Sequence, residues 1–350
     1  MIPVSSPTWQ AENEQNPCQV SPESPSESWQ KTLQQALTDP LALCLLLQLP
    51  LADQDTITAA CQGFPLRVPA PFLARMQRGN PRDPLLLQVL PQAAELQEWP
   101  GYVSDPLDER AHNPVPGLVH KYASRVLLIT TQLCAIHCRY CFRREFAYEK
   151  NRNSRADWQQ ALDYIRIHTE LNEVILSGGD PLSLPDRQLA WLCEEIATIP
   201  HIRRLRLHTR LPVVIPRRID RDCLAWLGKN ALQKIVVLHI NHAQEIDAAL
   251  TNTVANLRAI NVTVLNQTVL LAGINDEADT LSALSEALFA AGVMPYYLHQ
   301  LDRVRGSHHF AVDDARALAI HQQLQAQLPG FLVPKLVREE AGKPAKTLLF

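Results

Sequence analysis

Beyond residue 120 the chain repeats short apolar runs at nearly constant spacing, and this periodicity limits the fold more than any other feature. The runs lie at 125–131, 173–177, 205–209, 235–240, 262–267 and 294–300, so successive starts are 48, 32, 30, 27 and 32 residues apart. Each run has the length of a buried strand, and about 30 residues is the length of a strand–helix–strand unit. The intervening segments carry helix periodicity, for example at 155–168, 186–199 and 277–291. Six strand–helix repeats predict an α/β fold in which a parallel sheet curls into a partial (β/α)6 barrel. A closed barrel would need eight repeats, and a flat doubly wound sheet is the rival arrangement.

The rest of the chain reads differently. Residues 1–30 are rich in Ser, Pro, Gln and Glu without apolar periodicity, which predicts a loose arm. Residues 31–115 predict a helical region cut by prolines, with Asp39-Pro40 and Asn80-Pro81 as turn punctuation, and residues 116–350 hold the barrel. Glycine is scarce at 12 residues and Gly178-Gly179 is the only adjacent pair, so a Walker or GxGxxG phosphate loop is absent. A net charge of −3 argues against a nucleic-acid or membrane-surface role. No signal peptide or long apolar run opens the chain, and eight scattered cysteines predict a reducing, cytoplasmic setting.

A polar group follows each predicted strand. Cys134, Cys138 and Cys141 follow the first, Ser177-Gly178-Gly179-Asp180 the second, and His208 with Arg210 the third. His239, Asn241 and His242 follow the fourth, Asn266 and Gln267 the fifth, and His299, Gln300 and Asp302 the sixth. In barrels the active site lies at this C-terminal mouth. The spacing CxxxCxxC offers three thiolates, which suits a 4Fe–4S cube with one iron left open for chemistry. A structural zinc site would want a fourth ligand, usually from a second cysteine pair, and the chain has no second CxxC.

The cysteine spacing, with an aromatic before the last Cys, resembles that of radical S-adenosylmethionine (SAM) enzymes. From about Gly79 onward the chain resembles the lysine 2,3-aminomutase family, most closely the branch that makes (R)-β-lysine for modifying elongation factor P. The resemblance is carried by Gly79-Asn80-Pro81-Arg82-Asp83-Pro84, by Pro116-Gly117-Leu118-Val119-His120-Lys121-Tyr122 and by the cysteine motif with Phe142-Arg143-Arg144. It continues in Ser177-Gly178-Gly179-Asp180-Pro181, Ile240-Asn241-His242, Asn266-Gln267 and Pro295-Tyr296-Tyr297.

The resemblance implies three cofactors: the cluster on Cys134, Cys138 and Cys141, SAM, and pyridoxal phosphate (PLP). It implies that Ser177, Gly178, Gly179 and Asp180 lie along SAM, and that Asn266, Gln267 and His242 stand beside the cofactors. It places the PLP Schiff base on Lys346, with Lys343 as the competing lysine, and the PLP phosphate on Lys121, Tyr122 and Arg125. Arg143 would bind the substrate carboxylate, and Asp302 and Glu339 its distant ammonium. The implied reaction is an isomerisation that moves the amino group of (S)-α-lysine from C2 to C3. The implied partners are lysine, a reducing electron donor, elongation factor P and the enzyme that ligates β-lysine to it. Rival readings are a catabolic aminomutase for free lysine or glutamate, and a non-catalytic iron–sulfur module in translation. With no cysteine after Cys223, the zinc-linked assembly of clostridial relatives is not expected.

Overall fold

The computed structural model describes residues 28–50, 54–146 and 154–349. The predicted loose arm therefore lies outside the described residues, save for its last three. Of these, Ser28 caps the first helix by accepting from Lys31 N at 3.3 Å.

A nine-stranded sheet runs in sequence order. Its strands are β1 (Leu118–Tyr122), β2 (Arg125–Thr131), β3 (Glu173–Gly178), β4 (Arg204–Thr209), β5 (Gln233–His239), β6 (Thr263–Val269), β7 (Met294–His299), β8 (Lys335–Arg338) and β9 (Thr347–Leu348). Every pair from β2 to β8 is parallel, while β1 and β9 pair antiparallel at the two edges. β1 and β9 do not pair with each other, so the sheet is an open, partial barrel. The six predicted strands are β2 to β7.

The helices are α1 (Trp29–Gln34), α2 (Pro40–Leu46), α3 (Gln54–Gly63), α4 (Ala70–Leu73), α5 (Pro84–Leu87), α6 (Arg155–Ile167), α7 (Asp186–Ala197), α8 (Leu211–Val214), α9 (Arg221–Gly228), α10 (Ala248–Ala259), α11 (Ala278–Ala290) and α12 (Asp314–Gln327). The crossovers α6, α7, α9, α10, α11 and α12 complete the (β/α)6 unit. Local chemistry sets their starts: Ser154 and Asp157 form a capping box at α6, a device worth about 1 kcal/mol. Along β4 half-buried and buried residues alternate, so Arg204, Arg206 and His208 face the lumen while Leu205 and Leu207 face the helices.

The N-terminal helices do not form a core of their own. Trp29, Leu43, Phe72 and Leu85 belong to the same contiguous apolar cluster as Leu176, Leu207 and Leu238 of the barrel. The expected boundary near residue 115 is thus a change of element type within one core. Among the described residues no helix is long and apolar enough to cross a membrane.

Candidate active site

Cys134, Cys138 and Cys141 lie on the loop that leaves β2, at the barrel mouth. All are free thiols in half-buried residues. Desolvation pushes the Cys141 thiol up to about 11, with Cys138 adding to it. Burial likewise raises Cys134, helped by Cys141, Asp180 and Cys138. Such thiols ionise only when a strong electrophile such as iron takes the proton's place. Among the described residues no His, Cys, Asp or Glu trio is gathered around one ion. A cube asks for something else, because each thiolate binds a different iron. The donor set fits a cluster.

The loop is held from outside the barrel, and this was not legible in the sequence. Arg139, between the cysteines, makes a bidentate pair with Glu95 at 2.8 and 2.5 Å, both side chains being essentially inaccessible to water. Arg144 reaches the same carboxylate at 2.9 Å. Backbone bonds add His137 N to Arg67 O at 3.2 Å and Arg139 N to Gln88 O at 2.9 Å. The helical region whose purpose the sequence left open therefore grips the cysteine loop.

The fold itself requires that Gly178 and Gly179 lack a Cβ. A Cβ on Gly179 would lie 2.4 Å from Leu133 O, and one on Gly178, at φ +124°, would lie 2.6 Å from Thr131 O. The space is filled by the strand and loop that lead to Cys134, with Gly179 N donating to Thr131 O at 2.6 Å. The Asp180 carboxylate is likewise engaged by the fold. It accepts from Thr209 Oγ1 at 2.6 Å and from Arg210, Leu211 and Leu182 backbone N–H groups, so it clamps β3 to the end of β4. Ser177 and the Gly178 carbonyl do face the site, where both accept from Arg143 Nη1, at 3.0 and 3.4 Å.

Asn266 is likewise engaged by the fold. Successive strand residues face opposite sides, so Asn266 and Gln267 cannot both line the lumen. Asn266 bonds Ile240 N, Ile240 O and Thr268 on the helix side, at 2.9 to 3.0 Å. Gln267 faces inward and reaches His239 Nε2 at 2.9 Å. His242 accepts from Gln244 N at 3.2 Å. Burial lowers its pKa, Glu245 and Asp83 opposing, which places it where the mouth meets the N-terminal helices.

The opposite end of the open sheet gathers the other expected residues. Glu339, just after β8, accepts from Lys121 Nζ and Tyr122 Oη, both at 3.0 Å, and from Lys346 Nζ. These contacts span the gap between the first and last strands, joining residues 218 apart in sequence. Burial alone would raise the Glu339 pKa, but Lys346 and Lys121 hold it well below the usual carboxylate range. The Arg125 guanidinium lies over the Tyr122 ring at 4.0 Å. Lys346 is half-buried and sits 5.9 Å above Tyr297, whereas Lys343 is exposed.

Asp302 is pushed up to about 7 by burial, then by Glu339 and Glu109, with Lys346 and Lys121 opposing. It lines a cleft of about 870 Å³ together with Trp99, Tyr102, Glu339 and Glu340. Arg143, expected to bind a substrate carboxylate, here binds one of the chain's own: Nε and Nη2 meet Glu109 at 2.8 and 2.6 Å. Sequence reading missed Glu109 because nothing local marks a residue 34 positions upstream.

His208, His239 and His299 line the lumen beside this cluster. Burial keeps all three neutral, His239 down to about 3. His208 Nε2 and His299 Nε2 are shielded from solvent and have no protein partner. Lys346 is among the charges that lower both. Orphaned imidazole nitrogens beside a lysine and two phosphate-suited groups fit a polar aromatic cofactor such as PLP.

Residues 128–284 match the family profile described as the radical SAM superfamily. The chain is 48% identical to an L-lysine 2,3-aminomutase of Haemophilus influenzae, over 92% of this chain and 95% of that protein. It is 49% identical to an L-lysine 2,3-aminomutase of Escherichia coli, over 92% and 94% respectively. An L-lysine 2,3-aminomutase of Clostridium subterminale is 33% identical, with 84% of this chain matched to 71% of that one.

Proposed function

The chain belongs to the L-lysine 2,3-aminomutase family of radical SAM enzymes, and from that premise we propose that it converts (S)-α-lysine to (R)-β-lysine for the modification of elongation factor P. A 4Fe–4S cluster with SAM supplies the hydrogen-abstracting radical when bound, and PLP supplies the ring that carries the migrating amino group.

In this reading Cys134, Cys138 and Cys141 hold the iron, and Ser177 with the Gly178 carbonyl faces SAM. Lys346 would supply the amine that holds the pyridoxal aldehyde. Lys121, Tyr122 and Arg125 would hold the phosphate, and neutral His208 and His299 would offer their unpartnered Nε2 atoms to the cofactor. Arg143 is the cation for the substrate carboxylate, which would take over N–H groups that Glu109, Ser177 and the Gly178 carbonyl occupy here. Asp302 and Glu339 take the distant ammonium, which favours lysine over glutamate, whose second carboxylate they would repel. The acidic wall of the cleft would steer a cationic substrate inward.

The observation that carries this reading is the meeting of Lys346 with Lys121 and Tyr122 at Glu339, across the gap in the sheet. Protein purified without oxygen should show iron–sulfur and PLP absorption in one polypeptide and form β-lysine from lysine. Lys346→Ala should lose the PLP band and all turnover while keeping its iron, and Lys343→Ala should keep all three. A PLP band that survives in Lys346→Ala and vanishes in Lys343→Ala would reassign the lysine. The role at elongation factor P rests on the branch motifs. It predicts that this factor, isolated from cells lacking the protein, has lost the added mass of β-lysine.

A further inference from the structure

Arg210 stands at the mouth end of β4, 6% exposed, and no role in the reaction above uses it. Its Nη1 donates to Cys138 Sγ at 2.7 Å and to Tyr140 Oη at 2.9 Å. Its Nη2 donates to Gln88 Oε1 at 2.6 Å and to Glu245 Oε2 at 2.9 Å. These partners are themselves fixed. Asn241 Nδ2 donates to Gln88 Oε1 at 2.9 Å and Tyr140 Oη at 2.7 Å. Glu245, fully buried, accepts from Gln88 Nε2 at 3.2 Å and from the backbone of Asn241 and His242. The guanidinium is thus locked in one orientation by the N-terminal region, the cysteine loop and the loop after β5, with one N–H aimed at a sulfur.

We propose that Arg210 sets the reduction potential of the cluster through Cys138, with Gln88 and Glu245 as positioning residues. The inference rests on the cluster assignment to the cysteine loop. Reduction adds one electron, drawn from an external reductant, to a cluster whose charge its thiolates spread over sulfur. A hydrogen bond and a cation at a ligating sulfur favour the more negative state, and such bonds are a principal lever on cluster potential. Low local polarity strengthens the effect. Glu245 offsets part of the charge, but it pairs with the opposite edge of the fork, leaving the Nη1 edge directed at Cys138. A purely structural Arg210 would neutralise Glu245 and leave the potential unchanged.

The test compares midpoint potentials of the SAM-free cluster, by redox titration followed with electron paramagnetic resonance. The double variant Arg210→Gln/Glu245→Gln keeps the net charge, and its reduction equilibrium should fall about tenfold, or about 59 mV for one electron. Arg210→Lys keeps the cation without the fork and should fall in between. Should either variant not fold, the unaltered protein decides. With 15N-labelled arginine, pulsed resonance on the reduced cluster should show coupling to a guanidinium nitrogen through the N–H···S bond. Absent coupling, or an unchanged potential in a variant with full iron, overturns the proposal. Wild-type protein that takes up no cluster would instead overturn the cluster assignment.

Discussion

The cysteine loop, at the β2 end of the open sheet, is gripped by buried side chains from the first 115 residues, whereas the Lys346 amine at the β9 end rests on one carboxylate. At the first end, Glu95 meets two arginines and Gln88 accepts a backbone N–H from Arg139. At the second, Glu339 alone links Lys346 with Lys121 and Tyr122. A buried ion pair recovers little more than its own desolvation cost, so the value of the first arrangement lies in position. An inorganic cube has fixed dimensions and needs its ligands preset. A lysine that must admit a cofactor between itself and its phosphate ligands needs a partner able to yield.

The comparison breaks most visibly at Glu95. Glu95→Gln strands Arg139, which is wholly buried, together with Arg144, and should cost about 3–5 kcal/mol of stability. Denaturant titration should show it, and iron content should fall with it. An equally stable, fully loaded variant would mean that the first 115 residues do not hold the loop.

Asp302→Asn probes the other end with nearly unchanged volume. Losing one partner of a desolvated charge pair costs on the order of 2–5 kcal/mol, so kcat/KM for lysine should fall roughly thirtyfold or more. Iron and PLP should remain. The pH profile sharpens the test, because burial with Glu339 and Glu109 nearby sets Asp302 near 7 in the free protein. Below that pH the group is a neutral acid and binds an ammonium poorly, so kcat/KM should decline as pH falls through about 7, and the variant should lack this limb. The stability sign is opposite. A carboxyl raised from 3.8 to about 7 contributes stability that is fully present below 3.8 and lost as pH rises through 7.

The smallest effect is expected at Gly179. An alanine Cβ would press on Leu133 O and Gln132 C, at 2.4 and 2.7 Å, and backbone atoms cannot turn aside. Overpacking of this kind costs about 1–3 kcal/mol. Gly179→Ala should lower melting temperature modestly and loosen iron at the adjoining Cys134, with PLP binding unaffected. PLP lost before iron would place the glycine pair at the wrong end of the comparison.

The parallel strands β2 to β7 were legible because each is an apolar run with a helix behind it, and β1, β8 and β9 were not. β8 and β9 span four and two residues and lack that pattern. β1 carries His120, Lys121 and Tyr122, which read as a motif and not as a strand. Side-chain destinations needed the tertiary structure. Asp180 and Asn266 sit in expected site segments, yet their polar atoms satisfy the backbone of neighbouring strand ends.

The sequence by itself determined what is local. Three thiols on one short loop, a run of strand and helix lengths, and a lysine seven residues beyond a carboxylate are fixed by covalent spacing. Tertiary structure decided which charges meet: Arg143 with Glu109, Arg139 with Glu95, Glu339 with Lys121, and Arg210 with Cys138. Those partners lie 34, 44, 218 and 72 residues apart. Buried charge must find its counterpart wherever the fold brings one within reach, and the packing of the N-terminal helices and the meeting of the sheet's two edges bring those pairs together.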